Sequence, residues 1–183
     1  MDTPDHPLTT TEPVGAKDNI CPAPAPVAAQ DDRKTIFFDM DDVLVDYTGG
    51  YALVSPAELE AAGGQLKNVP GIFARLCPMP GALTAVKALA RQYECHILST
   101  APWENPSAWS DKVYWIFRHF GSDRESPFYK RINLTHDKGT FCGDYLIDDR
   151  NKHGVVRFSG LWLKFGSERF PDWPAVLAFL LPK

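Results

Sequence analysis

Short apolar runs that alternate with helical patterns constrain the fold of this chain more than any other feature of its sequence. Polar residues directly follow four of these runs, which cover residues 35–38, 95–98, 131–134 and 145–147. A fifth candidate strand covers residues 160–165. Short, continuous apolar runs of this kind are typical of strands that are buried on both faces of a parallel sheet.

The segments between these runs have helical periodicity. Residues 82–93 place Leu83, Val86 and Leu89 on one side, and residues 107–120 repeat apolar side chains at the same spacing. A shorter helix is predicted at residues 174–181. The alternation of strands and helices predicts an α/β fold, a three-layer sandwich with a mostly parallel sheet and helices on both faces. Ligands of such sheets bind beyond the carboxyl ends of the strands.

Residues 47–79 interrupt this alternation. Ser55-Pro56-Ala57-Glu58 is a capping box with proline at the first helical position, and it starts a helix that Gly63-Gly64 ends. We predict a small helical cap at about 47–79, beside the strand ends, where a lid would lie. An ordinary surface excursion is the alternative.

Residues 1–33 differ from the rest in composition. Six of the sixteen prolines lie between Pro4 and Pro26, and bulky apolar side chains are scarce there. The composition predicts a disordered tail, and it places the folded domain at 34–183. The segment also lacks the basic region followed by about 7–15 apolar residues that marks a secretory signal.

Charge and cysteine content narrow the function classes. The net charge of −4 gives no general electrostatic reason to bind polymeric nucleic acid. The sequence contains no run of about 18 apolar residues, so it predicts no membrane span. The four cysteines, at positions 21, 77, 95 and 142, are far apart, which favours reduced thiols in a cytoplasmic protein over a zinc site or a disulfide framework.

Polar residues follow the predicted strands, and they are Asp39, Asp41, Thr100, Lys138, Asp148 and Asp149. The carboxyl ends of parallel strands meet at one edge of the sheet, so we expect four carboxylates to converge there. They cannot all stay ionised without a counter-charge. Carboxylate oxygens without nearby histidine or cysteine ligands favour Mg²⁺, which also binds substrate phosphate. The sequence therefore predicts a magnesium site at the four aspartates.

The spacing of Asp39 and Asp41 suits phosphoryl transfer, because residues two apart at a strand end point to the same side. One of them can attack phosphorus while the other donates and later accepts a proton. Thr100 would supply a hydroxyl and an amide to phosphoryl oxygens, and the Lys138 ammonium would offset their charge. Trp103, in a proline-bounded loop, is a candidate for the pocket mouth.

Four segments carry these polar residues in a fixed order, and they cover residues 37–46, 97–102, 134–138 and 143–149. They resemble the four motifs of the haloacid dehalogenase superfamily of phosphohydrolases. Within it they are similar to the 5′(3′)-deoxyribonucleotidase-like group, the cytosolic type C 5′-nucleotidases. The resemblance extends from residue 34 to about residue 180 and implies the Rossmann-like sandwich of that superfamily. It departs at Asp42, where the family commonly has glycine; this extra carboxylate would strengthen metal binding or face solvent.

The resemblance also implies roles for individual residues. Asp39 matches the nucleophile, and Asp41 matches the acid/base residue whose backbone carbonyl also binds Mg²⁺. Thr100 and Lys138 match phosphate-binding residues. Lys112 matches a further position at which this group carries lysine, so it competes with Lys138 for the phosphate.

The last acidic pair leaves a second choice open. The family pattern favours Asp149 as the direct metal ligand, with Asp148 alongside. In this group, aromatic side chains of a longer cap hold the nucleobase. Here the cap offers mainly Tyr47, Tyr51 and Phe73, so nucleotide specificity is an expectation from the family.

The resemblance and the residues together predict a Mg²⁺-dependent phosphomonoester hydrolase that forms an aspartyl-phosphate at Asp39. The expected partner is a small phosphate ester, first a 5′-nucleotide, and no membrane or polymeric nucleic acid is expected. A phosphatase for another small phosphate ester is the alternative within the family. Outside it, the alternatives are a receiver-like protein with a phosphorylated aspartate and a binding protein without catalysis.

Overall fold

Five parallel strands form one sheet in the computed structural model, which describes residues 32–181. The strands are β1 (Thr35–Phe38), β2 (Glu94–Ser99), β3 (Ile132–Leu134), β4 (Cys142–Asp148) and β5 (Ser159–Lys164). Their order is β3-β2-β1-β4-β5, and each neighbouring pair is parallel. The predicted α/β fold is confirmed. The predicted tail, apart from its last two residues, lies outside the described residues.

Five α-helices accompany the sheet in this part of the chain: α1 (Pro56–Ala61), α2 (Ile72–Arg75), α3 (Ala82–Leu89), α4 (Ser107–Phe120) and α5 (Trp173–Leu180). The larger apolar cluster joins α2–α5 to one face of the sheet. Phe38 of β1, Trp115 of α4 and Trp173 of α5 are buried in it. None of the described helices has the length and apolar character needed to cross a bilayer.

The opposite face of the sheet is covered by a thinner layer than the predicted one. Its smaller apolar cluster contains Phe37 of β1 and Leu146 of β4, together with Val155 and Phe158. Val155 belongs to a 3₁₀ helix, Val155–Arg157, in the connection between β4 and β5. This connection is shorter than the dozen or so residues that a helical crossover usually needs, so a 3₁₀ turn, and not an α-helix, covers this face of the sheet.

The segment 47–79 contains α1, α2 and two 3₁₀ helices, Thr48–Leu53 and Leu66–Asn68. The capping box at Ser55 and Glu58 is present, which confirms the predicted start of α1. Hydrogen bonds fasten this cap to α4. The Trp115 indole donates to the Leu76 carbonyl at 2.8 Å, and the Ser107 hydroxyl accepts the Gly71 N–H at 2.9 Å.

Backbone hydrogen bonds also hold the residues that follow the strands. The Asp39 N–H donates to the Ile147 carbonyl at 2.9 Å, and the Thr135 N–H donates to the Ser99 carbonyl at 2.8 Å. The strand ladder thus continues for one residue beyond β1 and beyond β3. This extension fixes the backbone from which the polar side chains at this edge of the sheet project.

Candidate active site

Charged side chains that follow different strands meet at this edge of the sheet. The Lys138 ammonium lies 3.0 Å from Asp39 Oδ1, and it also donates a hydrogen bond to Asp148. All three residues are at most 5% exposed. The structure therefore brings the acidic groups after β1 and at the end of β4 together around one buried cation.

The electrostatics of this cluster favour an ionised Asp39. Burial acts to raise the pKa of the Asp39 carboxyl, but the Lys138 and Lys112 ammonium groups outweigh it and hold that pKa below its ordinary value. Burial also acts against the charged form of Lys138, yet Asp39 and Asp148 raise its pKa. The pKa of Asp148 is raised to about 7 by burial and by the neighbouring Asp39 charge, with Lys138 opposing. A carboxylate at Asp39 is the form that a nucleophile requires.

Three carboxylates in this cluster have the arrangement of a metal site. Asp39, Asp148 and Asp149 each offer one oxygen, and these oxygens lie within 4.8 Å of one another. Burial raises the pKa of Asp149 to about 6, against the effect of Arg150, whose Nε is 3.1 Å from Asp149 Oδ2. An all-oxygen set of carboxylates fits Mg²⁺. The side chain of Asp41 is outside this set, so its predicted contact with the ion, through the backbone carbonyl, stays a prediction.

A second buried lysine faces the other predicted catalytic aspartate. Lys112, on α4, is fully buried, and its Nζ lies 2.8 Å from Asp41 Oδ1 and 4.7 Å from the centre of the Phe73 ring. Burial raises the pKa of the Asp41 carboxyl, and Lys112 opposes that rise. Of the two lysines that compete for the phosphate in the sequence analysis, Lys138 contacts Asp39 and Lys112 contacts Asp41. The phosphate-binding role of each lysine stays a prediction.

Ser99 is a site residue that the sequence analysis missed. It ends β2, is fully buried, and its hydroxyl accepts a hydrogen bond from Lys112 Nζ at 3.1 Å. The Ser99 hydroxyl also helps to hold the pKa of Asp39 below its ordinary value. The hydroxyl of the predicted Thr100 donates instead to the Thr135 carbonyl at 2.8 Å. The available signal was the position of Ser99 as the final residue of an apolar run. We call Asp39, Ser99, Lys112, Lys138 and Asp148 the floor of the site.

Asp42, where the family commonly has glycine, lies in the loop after β1. This residue has φ = 54°, in the left-handed region, which is the reason that glycine suits the position. The Asp42 carboxylate accepts the Thr48 N–H at 2.9 Å. It therefore joins the catalytic loop to the first 3₁₀ helix of the cap, and it is not one of the three carboxylates of the candidate metal site.

A cavity of about 420 Å³ opens beside the floor. Its volume is within the usual range for small-molecule sites, about 300–1,000 Å³. The predicted substrate residues Tyr47, Phe73, Thr100 and Trp103 all line it, as does Asp41. We call its outer residues the mouth: Tyr47, Lys67, Trp103, Glu104, His136 and Lys152.

Aromatic rings contribute much of the cavity wall. The rings of Tyr47 and Phe73 are stacked, with centroids 6.1 Å apart and planes 23° apart. Trp103 is 76% exposed, and its edge contacts the His136 ring at a centroid distance of 5.8 Å. Burial raises the pKa of Tyr47 to about 12, so its hydroxyl stays neutral. The wall thus offers flat apolar surfaces to a planar ligand.

Comparison with known sequences finds a matching family model and related proteins. A family model described as "5′ nucleotidase, deoxy (Pyrimidine), cytosolic type C protein" matches residues 54–169. A 5′(3′)-deoxyribonucleotidase of Vibrio phage KVP40 is 42% identical over 153 residues, which cover 84% of this chain and 88% of that protein. One from Staphylococcus aureus is 31% identical, over 81% of this chain and 96% of that protein.

One solved structure supports the fold. The HAD-hydrolase YfnB from Bacillus subtilis, which was solved bound to magnesium, has a TM-score of 0.53 to this chain. The match covers 81% of this chain and 99% of that protein, at 12% sequence identity. At this identity the likeness shows a shared fold.

Proposed function

The chain belongs to the cytosolic type C 5′(3′)-deoxyribonucleotidase family of phosphatases, and from this premise we propose that it hydrolyses deoxyribonucleoside monophosphates with Mg²⁺, through an aspartyl-phosphate on Asp39. The observation that carries the proposal is the buried Asp39 carboxylate beside the Lys138 ammonium, with Asp41, two residues later, lining a cavity of suitable size. The aromatic cavity wall supports a nucleoside as the leaving group.

The residues present fit Mg²⁺. Asp39, Asp148 and Asp149 would hold it with carboxylate oxygens, and the Asp41 carbonyl would complete the protein's share. The ion would neutralise charge on the phosphoryl oxygens and orient them toward the nucleophile. Its charge would also favour the ionised forms of Asp148 and Asp149, whose pKa values burial raises.

In the first half of the reaction, an Asp39 carboxylate oxygen attacks phosphorus and the bond from phosphorus to the nucleoside oxygen breaks. Asp41 donates its proton to that leaving oxygen. Burial raises the pKa of Asp41, which suits a group that must hold a proton until the bond breaks. Lys112 positions the Asp41 carboxyl through its contact at Oδ1.

In the second half, Asp41 takes a proton from a water molecule that attacks the same phosphorus. The bond between Asp39 and phosphorus then breaks, inorganic phosphate leaves, and the Asp39 carboxylate is restored. Lys138 offsets the negative charge that the phosphoryl group brings to Asp39 and Asp148. Tyr47, Phe73 and Trp103 would contact the nucleobase at the cavity wall.

Asp39→Asn tests the proposal. An amide is too weak a nucleophile for this step, so we expect hydrolysis of thymidine 5′-monophosphate in Mg²⁺ to fall by at least about 10³-fold. Acid quenching with ³²P-labelled substrate should trap a labelled protein in the wild type and none in the variant. Asp123→Asn, in an exposed loop, is the matched control. Activity in Asp39→Asn near the wild-type level, or label retained by that variant, would contradict the mechanism.

A further inference from the structure

The mouth of the cavity is positively charged, although the whole chain has a net charge of −4. Lys67, Arg150 and Lys152 line the cavity, and Glu104 is the acidic residue of the mouth. Arg150 forms an ion pair with Asp149, so the lysines of the cavity lining, Lys67 and Lys152, are the groups to consider for an anionic ligand. Neither the Lys67 nor the Lys152 ammonium forms an ion pair with a carboxylate in the part of the chain that the structure describes.

The backbone of Lys67 is held firmly at the cavity. The Asn105 side-chain amide, which is 3% exposed, donates to the Lys67 carbonyl at 2.9 Å and to the Val69 carbonyl at 3.1 Å. A buried amide with these two bonds fixes a lysine of the cap beside the loop that carries Trp103.

The backbone of Lys152 is fixed from the floor of the site. It lies in a turn in which the Lys152 N–H donates to the Arg150 carbonyl at 3.0 Å. The next residue, His153, has φ = 51°, and its carbonyl accepts the Lys138 N–H. Non-glycine residues in this strained region occur often at functional sites. The turn that presents Lys152 is therefore tied to the lysine that contacts the nucleophile.

Lys67 and Lys152 line the cavity that the leaving-group end of a substrate would occupy. The phosphoryl group that is removed must reach Asp39, where the buried Lys138 already offsets its charge. A neutral nucleoside would bring neither lysine an anionic partner. A leaving group with its own anion would give both lysines a partner.

We propose that Lys67 and Lys152 bind a second anionic group of the substrate. The preferred substrate is one whose leaving nucleoside carries a phosphate of its own, as in a deoxynucleoside 3′,5′-bisphosphate. This inference rests on the proposed function, because it places the phosphate that is removed at Asp39. Glu104 lies at the same mouth and disfavours anions that bind on its side.

Steady-state kinetics with thymidine 5′-monophosphate and thymidine 3′,5′-bisphosphate tests the inference, with the products identified by chromatography. We expect a higher kcat/KM for the bisphosphate. Lys67→Gln and Lys152→Gln should each lower that preference by up to about fivefold, the upper end for one exposed charge–charge contact, and the double variant should lose it. Lys87→Gln, on an exposed face of α3, should keep the preference, and Lys67→Arg with Lys152→Arg should restore it.

Two results would overturn the inference. One is equal kcat/KM for both substrates in the wild type. The other is an equal loss for both substrates in the double variant, which would mean that the lysines only attract anions in general. If neither substrate is hydrolysed, the proposed function fails, and calorimetric titration of both compounds into Asp39→Asn still decides the inference. Tighter binding of the bisphosphate that the double variant loses supports it, and equal affinities overturn it.

Discussion

The floor and the mouth of the cavity contain similar numbers of charged groups in different surroundings. Floor residues are at most 5% exposed, and each floor charge contacts an opposite one, as Lys138 contacts Asp39. At the mouth, Trp103 is 76% exposed and Lys152 is open to solvent. Interactions between charges are far stronger away from water. We therefore expect floor residues to control the chemical step and folding, and mouth residues to control substrate choice by small increments.

The largest effect in this comparison is expected for Lys138→Met. The change leaves the buried Asp39 and Asp148 carboxylates without their cation, so unfolding free energy should fall by about 3–5 kcal/mol, as for other broken buried ion pairs. Hydrolysis of thymidine 5′-monophosphate should fall by at least about 10²-fold, because positioned charges at a phosphoryl group contribute this much. Urea unfolding and kcat/KM measure the two effects.

Measuring the Tm of Lys138→Met with and without Mg²⁺ gives a second test of the same contact. An ion held by Asp39, Asp148 and Asp149 supplies positive charge where the ammonium was, so Mg²⁺ should raise the Tm of Lys138→Met more than that of the wild type. Lys87→Met, on the exposed face of α3, is the control and should behave as the wild type does. A stability loss below about 1 kcal/mol in Lys138→Met would place the pair among the weak surface contacts and would contradict the contrast between floor and mouth.

A smaller effect should separate two neighbouring hydroxyls. Ser99→Ala removes the hydroxyl that helps to lower the pKa of Asp39 and that accepts a hydrogen bond from Lys112, so kcat should fall about 10–100-fold. Thr100→Val removes a hydroxyl that donates to the Thr135 carbonyl, and its effect on kcat should be several times smaller. Paired measurements of kcat and KM decide between them. A larger loss in Thr100→Val would support the phosphate-binding role that the sequence analysis predicts for Thr100.

The contrast between floor and mouth also separates what the sequence predicts from what it does not. Asp39 and Asp148 stand directly after apolar runs, so the strand pattern alone brings them together. Ser99 was missed because a boundary that is uncertain by one residue cannot choose between it and Thr100. Lys112 is a lysine in an amphipathic helix, a place where lysine is usually solvated. Its burial depends on how α4 packs across the strand ends, and only the family resemblance drew attention to it.

The mouth is less predictable because its residues come from separate loops. Lys67 is set by a buried amide of Asn105, and Lys152 by a turn bonded to Lys138; neither contact has a sequence signal. Tyr47, Phe73 and Trp103 were proposed as aromatic residues near the motifs, and the structure shows that they share one cavity. The thinner layer on the Phe37 face follows from short connections, a property visible in the sequence once strand limits are known.

At the mouth, Trp103→Ala should change binding and leave the chemistry intact. Stacking of a base on an aromatic ring contributes about 1–3 kcal/mol, and the strong exposure of Trp103 favours the low end, so KM for thymidine 5′-monophosphate should rise about fivefold. The kcat value should stay within about twofold, because Trp103 belongs to the exposed mouth, where its ring contacts His136. Trp103→Phe should recover most of the KM. Phe117→Ala, an exposed aromatic of α4, is the control, and a loss confined to kcat would contradict the assignment.

The smallest effect is expected at Glu58, which supports the mouth from outside. Its carboxylate accepts the Ser55 N–H and pairs with Arg75 of α2, the helix that carries Phe73. Hydrogen bonds from the Ser55 backbone and hydroxyl, and then from Arg75, lower the pKa of Glu58 to about 2. A carboxyl with a lowered pKa stabilises the folded state above its ordinary pKa of about 4.5, and this contribution is lost as the pH falls toward 2.

Glu58→Gln isolates the charge in that contact, because glutamine also accepts the hydrogen bond of a capping box. The variant should have a slightly lower Tm than the wild type at pH 7, and the difference should shrink as the pH falls from about 5 to 3, because Glu58 of the unfolded chain takes up its proton in this range. Glu60→Gln on the same helix is the matched control. Salt at about 1 M should also shrink the difference, because the pair is exposed. A Tm difference that is the same at pH 3 and pH 7 would assign the effect to the shape of the side chain, and the cap would then hold the mouth without help from charge.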